Sequence, residues 1–164
     1  MHIPRLTYAV FLFGAMLWCF GIVAAPAFNM GSLYEFYQRI CHQLDSHSLH
    51  IAGEQLAVCA RCSAIYFAFL FGLFCYPIVR DLSSIQLPSR TLLAVAALPM
   101  LLDVLFGLLG LHTVTLTTRM VTGSLFGIVL PFFLLPAAVG AVQEIYSVRQ
   151  QTITPQSMKG FSDA

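Results

Sequence analysis

Residues 62–79 read CSAIYFAFLFGLFCYPIV, eighteen positions without one charged side chain. As a helix rising 1.5 Å per residue they cover about 27 Å, close to the roughly 30 Å hydrocarbon core of a bilayer. The same reading extends outward to three further apolar stretches, Leu6–Ala27, Thr91–Leu111 and Thr118–Val142. In lipid an open chain must satisfy its own backbone polar groups, so each stretch is read as a helix. The fold class expected is an all-α integral membrane protein with four transmembrane helices.

Composition agrees. The 164 residues are 59% hydrophobic and 9% charged, against about 25% charged in an ordinary soluble domain. A net charge of +1 offers no basic field for nucleic acid. Residues 1–147 are expected to form the transmembrane domain and 148–164 a polar, disordered cytoplasmic tail. Pro26, Pro77, Pro99, Pro131 and Pro136 fall within or near the spans and are expected to kink them.

The first span competes with a signal-peptide reading: Arg5 precedes an apolar stretch that ends in Ala24-Ala25-Pro26-Ala27. That stretch exceeds the usual 7–15 residues, so a retained helix is expected. Four spans put Arg5, Arg80, Arg90, Arg149 and Lys159 on one side and Arg39, Arg61 and Arg119 on the other. The positive-inside rule then puts both termini in the cytoplasm and the first long loop outside.

That loop carries most of the chemistry. Leu33, Phe36, Tyr37, Ile40 and Leu44 recur at helical spacing, which predicts a short amphipathic helix at the membrane interface. Ser32 followed by Glu35 has the form of a capping box. Cys41-His42-Gln43 comes next, then a turn holding His47 and His50, then Cys59-Ala60-Arg61-Cys62 as the second span begins. Cys19 and Cys75 lie inside spans and read as small apolar residues.

Three readings of the cysteines stay open. In the first, Cys41, Cys59 and Cys62 with one histidine bind a metal, with tetrahedral zinc the expected ion. His42 is the nominal fourth ligand. Its side chain diverges from that of adjacent Cys41, so His47 or His50 is the alternative. In the second, Cys59 and Cys62 cycle between dithiol and disulfide at a helix N-terminus, where thiol pKa falls. Four spans with such a pair opening the second is also the layout of the quinone-reducing disulfide-bond oxidases of bacterial inner membranes. The likeness is one of layout, since the loop from Leu111 to Thr117 has no cysteine. The third reading is a structural disulfide.

Two ionisable residues fall in apolar surroundings, which marks them as functional candidates. Asp103 stands nine residues before His112, about 13 Å below that end of its helix. Arg119 opens the fourth span, and the two are expected to pair across spans three and four. With Arg61 they are the candidate catalytic residues. Arg119 and Thr122 at a helix start also suit a small or lipid-linked anionic ligand. Gly123 and Gly127 form a small-xxx-small motif that packs helices within the chain or joins copies in a homo-oligomer.

Together, Cys41-His42-Gln43, Cys59-Ala60-Arg61-Cys62-Ser63 with Ile65-Tyr66, Asp103, and Arg119 with Thr122-Gly123 resemble an uncharacterised prokaryotic membrane family, domain of unknown function 2085. The resemblance runs from about Cys41 to Gly127. This chain departs from the family pattern at Ser46-His47-Ser48, at Ala64 and at Val104-Leu105-Phe106. The resemblance implies a membrane fold and one shared site, and it implies no reaction. The expectation is therefore a multi-pass membrane protein with a Cys/His metal site above a polar intramembrane pocket. The alternatives are a quinone-linked thiol–disulfide oxidoreductase and a non-enzymatic assembly or transporter subunit.

Overall fold

A computed structural model describes residues 3–51, 53–111 and 114–159, with side chains as far as residue 149. Six helices, a short 3₁₀ turn and one hairpin follow in order. They are α1 (Ile3–Ala27), α2 (Gly31–Gln38), the 3₁₀ turn (Asp45–His47), β1 (Ser48–Ile51), β2 (Glu54–Cys59), α3 (Ala60–Val79), α4 (Arg90–Leu108), α5 (Leu116–Val129) and α6 (Pro131–Lys159). Four apolar helical stretches have the length to cross a membrane: Ile3–Ala27, Ala60–Val79, Arg90–Leu108 and Leu116–Arg149. Phe13, Phe71, Ile78, Leu108 and many other large apolar side chains face outward, as a lipid solvent allows.

The fourth span is built from two helices. α5 ends at Val129 and α6 starts at Pro131. A proline lacks the N–H that a helix interior needs, and the first helical position is where it costs least. The break therefore falls at the residue that cannot continue the α5 ladder. At 34 residues the combined span measures about 51 Å, longer than the hydrocarbon core. α6 runs on through Lys159, into the stretch read from sequence as a tail. Extending a formed helix needs no new nucleus. Residues 160–164, the rest of that expected tail, lie outside the described residues, as does His112.

Apolar burial does not drive helices together in lipid, so close packing must. α3 and α5 supply it. A Cβ on Gly123 would sit 2.8 Å from the Arg61 carbonyl oxygen, and one on Gly127 would overlap the Ile65 carbonyl. From the opposite helix, a Cβ on Gly72 would meet the Ile128 carbonyl at 2.7 Å. Of the two uses the small-residue motif could serve, packing within the chain is the one these contacts fill.

α4 is the peripheral helix. Of its most apolar 18-residue stretch 11% is buried, against 28% in each of the other three spans. Its buried residues are Ala96 and Asp103.

Two clusters form the core. Leu73, Tyr76 and Leu135 pack at the end where α3 finishes. Ile22, Ala25, Tyr37, Cys41 and Leu56-Ala57-Val58 pack at the end where α3 begins. At this second end α2 folds back over α1. The Tyr37 hydroxyl donates to the Trp18 carbonyl at 2.8 Å, and the Trp18 ring meets Phe36, Tyr37 and Tyr66 edge-on. The expected short helix is therefore present. Its capping box is not formed, because the helix starts at Gly31 with Met30 as N-cap and no side-chain cap. Ser32 already lies inside the first turn.

The hairpin is the element that periodicity did not predict. β1 and β2 pair antiparallel, Ser48 with Cys59 and Ile51 with Glu54, with an irregularity between Ser48 and His50.

Candidate metal centre

β2 feeds directly into α3, and the junction is Cys59. It ends the strand and serves as N-cap of the helix, with φ −65° and ψ 162°. Arg61 and Cys62 follow in the first helical turn, so one rigid corner presents both cysteines of the Cys-x-x-Cys pair.

Cys41 arrives from the loop after α2, and two glutamines lock that loop in place. The Gln43 side-chain amide donates to the carbonyls of Tyr34 (2.9 Å) and Ala57 (2.6 Å). The Gln55 amide donates to the Gln43 carbonyl (2.7 Å) and to Ser48 Oγ (2.9 Å). Tyr34 adds a hydroxyl bond to the Gln55 carbonyl. Gln43 itself sits at φ +48°, a left-handed conformation uncommon outside glycine. These bonds hold it there and turn Cys41 toward α3. The Cys59 N–H then donates to Cys41 Sγ at 3.2 Å.

The outcome is a triad. The sulfurs of Cys41, Cys59 and Cys62 all lie within 4.8 Å of one another. Three thiolates on a tetrahedral zinc with bonds of about 2.3 Å would stand about 3.8 Å apart, so small side-chain adjustments reach that geometry. Hydrogen bonds from the Cys59 and Cys62 thiols, and from the Cys59 N–H, hold the Cys41 thiol pKa well below its ordinary value. They favour the thiolate, the form that ligates metal. All five cysteines are free thiols.

No histidine joins the triad among the described residues. His42 and His47 line the cavity beside it. His50 faces elsewhere: its Nε2 meets Asp45 Oδ1 at 2.9 Å on the exposed surface.

The charged residues pair differently from the expectation. Asp103 bonds Arg61, not Arg119. Gly123 lets α5 pack against the Arg61 carbonyl, and the long Arg61 side chain spans from α3 to Asp103 on α4. The side chains of the pair are 18% and 6% exposed. The same ion pair ties the otherwise lipid-facing α4 to α3. Arg119 makes no side-chain hydrogen bond or ion pair among the described residues, and its Nε is buried without a partner. The Arg61 Nε is likewise buried and unpartnered.

A cavity of ≈ 260 Å³ joins these parts. Its walls include all three cysteines, His42, His47, Arg61 and Arg119. A neighbouring space of ≈ 430 Å³ shares His47, Arg61 and Arg119 and is otherwise bounded by Val104, Gly107, Leu108 and Val114. Arg61 and Arg119 therefore stand between a thiol-lined chamber and a chamber walled by α4.

Sequence reasoning named the cysteines and both arginines but missed the glutamines that build the site. Gln43 stood in the quoted Cys-His-Gln motif without a role. The signal was available: a polar side chain bearing two donors, between an aromatic helix and a buried strand, invites backbone carbonyls as partners.

Comparison with known proteins agrees with the membrane fold. A family described as predicted membrane protein (DUF2085) matches residues 41–133. An uncharacterised protein of the archaeon Methanocaldococcus jannaschii is 38% identical over 104 residues, covering 63% of this chain and 67% of the relative. No solved structure matches.

Proposed function

The chain belongs to the DUF2085 family of predicted membrane proteins, and from that premise we propose that it carries a metal centre held by Cys41, Cys59 and Cys62, with zinc the fitting ion. The observation that carries this reading is the approach of three sulfurs to within 4.8 Å, brought together from two segments by the hydrogen bonds that pin the Cys41 loop to β2. Three thiolates select a thiophilic ion. The fourth position opens on the cavity, which suits a bound water or an incoming ligand better than a fourth protein donor. The thiol corner clamps the α2 loop onto α3, so the ion also stabilises this end of the fold.

The setting that goes with this reading is a prokaryotic plasma membrane, with the centre outside and both termini in the cytoplasm. The distribution of Lys and Arg supports it. Arg61, one of the three cations on the opposing side, is engaged with Asp103 and so has a reason to be there apart from topology. The archaeal relative agrees with a prokaryotic host.

The test is elemental analysis of the full chain in detergent, with thiols counted after denaturation and chelation. About one zinc per chain and five free thiols are expected. Cys59→Ser with Cys62→Ser should abolish the metal, and unchanged metal content in that variant would overturn the assignment.

One observation favours a second reading, thiol–disulfide exchange. Cys41 lies beside Cys59 and Cys62 and supplies the extra thiol that the loop between α4 and α5 lacks. In that case purified protein would contain no metal and three free thiols; the Cys59–Cys62 disulfide would oxidise a partner dithiol to its disulfide, becoming a dithiol itself, and would be re-formed by giving two electrons and two protons to a quinone, which leaves as quinol.

A further inference from the structure

Metal reading aside, the cavity has a second chemical character that the thiols do not explain. Two guanidinium groups line it. One, Arg61, is already neutralised by Asp103. The other, Arg119, has no acidic partner among the described residues, yet its Nε is buried and unpaired. A buried donor left without a partner is costly, and ionisable residues in membrane-spanning segments are candidates for a ligand or a pathway. Arg119 is held in place rather than left to wander: Thr115 and Thr118 cap the start of α5 reciprocally, and Gly123 fixes the next turn against Arg61.

From this we infer that the cavity binds a phosphate-type oxyanion, held by the Arg119 fork with Arg61 beside it and presented to the open position of the thiol centre. Guanidinium groups match phosphate oxygens in pairs, and phosphate carries the charge that Arg119 lacks. Volume supports a small group. At ≈ 260 Å³ the chamber lies below the roughly 300–1,000 Å³ of pockets that take drug-sized ligands. It holds an oxyanion and little more. The adjoining ≈ 430 Å³ space with Val104 and Leu108 on its wall gives an attached apolar group somewhere to lie. A lipid phosphomonoester and free inorganic phosphate both present the required chemistry. As a name for the ligand of the proposed centre this inference rests on that reading, but the arginine fork binds phosphate with or without the ion.

The experiment uses the full chain in maltoside detergent, which contains no phosphate. It is loaded with cobalt(II) in one arm and kept metal-free in the other. Inorganic phosphate is titrated calorimetrically into both, and the cobalt absorption is followed in the first. Saturable binding is expected in both arms, with a change in the cobalt spectrum where the anion reaches the metal. Arg119→Gln should weaken binding by about 10- to 100-fold. Arg119→Lys, which keeps the charge but loses the fork, should lie between. Cobalt uptake should be unchanged in both variants, which shows that the thiol corner is intact. A parallel titration with short-chain phosphatidic acid separates the sources: tighter binding than inorganic phosphate assigns a lipid phosphate, and equal binding assigns the free anion. Failure of cobalt to bind while phosphate still binds sinks the metal reading alone. Absence of phosphate binding, or equal affinity in Arg119→Gln, overturns the anion site.

Discussion

Replacing Asp103 by Asn tests the ion pair that fastens α4. The variant keeps an acceptor oxygen near Arg61 but removes the charge. Asp103 and Arg61 are 6% and 18% exposed, so neither is well solvated. Breaking such a buried pair from one side costs about 3–5 kcal/mol, because the surviving charge is left uncompensated. Two cavities adjoin Arg61, and water entering them raises the local dielectric and lowers the expected cost to about 2–3 kcal/mol. Arg61→Met alone should cost a similar amount. Arg61→Met with Asp103→Leu should cost much less than the sum, since no charge is then stranded. The assay is equilibrium unfolding in mixed micelles, followed by the fluorescence of Trp18, the one tryptophan in the chain. Trp18 reports on the whole site because it packs on Tyr37 and Tyr66. Single variants within about 0.5 kcal/mol of the parent, or strictly additive losses in the double variant, would show that the pair contributes nothing and that α4 is held by other means.

Further outcomes follow from the same geometry. Gln43→Ala strips the Tyr34 and Ala57 carbonyls of a shared donor; it should cost about 1–3 kcal/mol and weaken cobalt uptake, whereas His50→Ala should leave uptake unchanged. Gly127→Leu drives a side chain into the Ile65 backbone, and a loss of about 1–3 kcal/mol or more is expected in the same unfolding assay; a neutral result would mean that α5 does not pack on α3 as described. Tyr37→Phe removes the hydroxyl bond to the Trp18 carbonyl and should cost about 1 kcal/mol while leaving the ring contacts and metal content intact.

The spans were legible because lipid imposes a simple rule. Eighteen uncharged residues from Cys62 to Val79 leave a helix as the workable conformation. The same rule explains why boundaries shifted: α3 starts at Ala60 because Cys59 is still strand. The hairpin was illegible for a different reason. A half-buried strand alternates apolar and polar residues, but Leu56, Ala57 and Val58 are all buried, between α1 and α2 on one side and the thiol corner on the other. No period of two survives that arrangement. The triad was legible in its members because cysteine pairs at this spacing have few uses. The choice among His42, His47 and His50 was not, because it depends on loop geometry: the Asp45 contact engages His50, while His42 and His47 line the cavity. Asp103 was recognised as misplaced in lipid, but its partner was assigned by helix order. Its partner, Arg61 on α3, is set by tertiary packing, in which α5 lies against both α3 and α4, and helix order does not reveal that.

The three sulfurs occupy residues 41–62, and the elements that orient them end with α3. A chain emerging from the ribosome therefore completes its thiol corner after two spans, before α4 exists. Arg119 arrives a full hairpin of membrane helix later, and Gly123 then seats it against a corner already built. An ion captured early would act as a nail for the first half of the molecule during insertion. The chamber beside the corner is complete only when the last span is in place, because Arg119 is one of its walls, so a metal bound at the corner and an anion bound in the chamber would be admitted at different stages of synthesis.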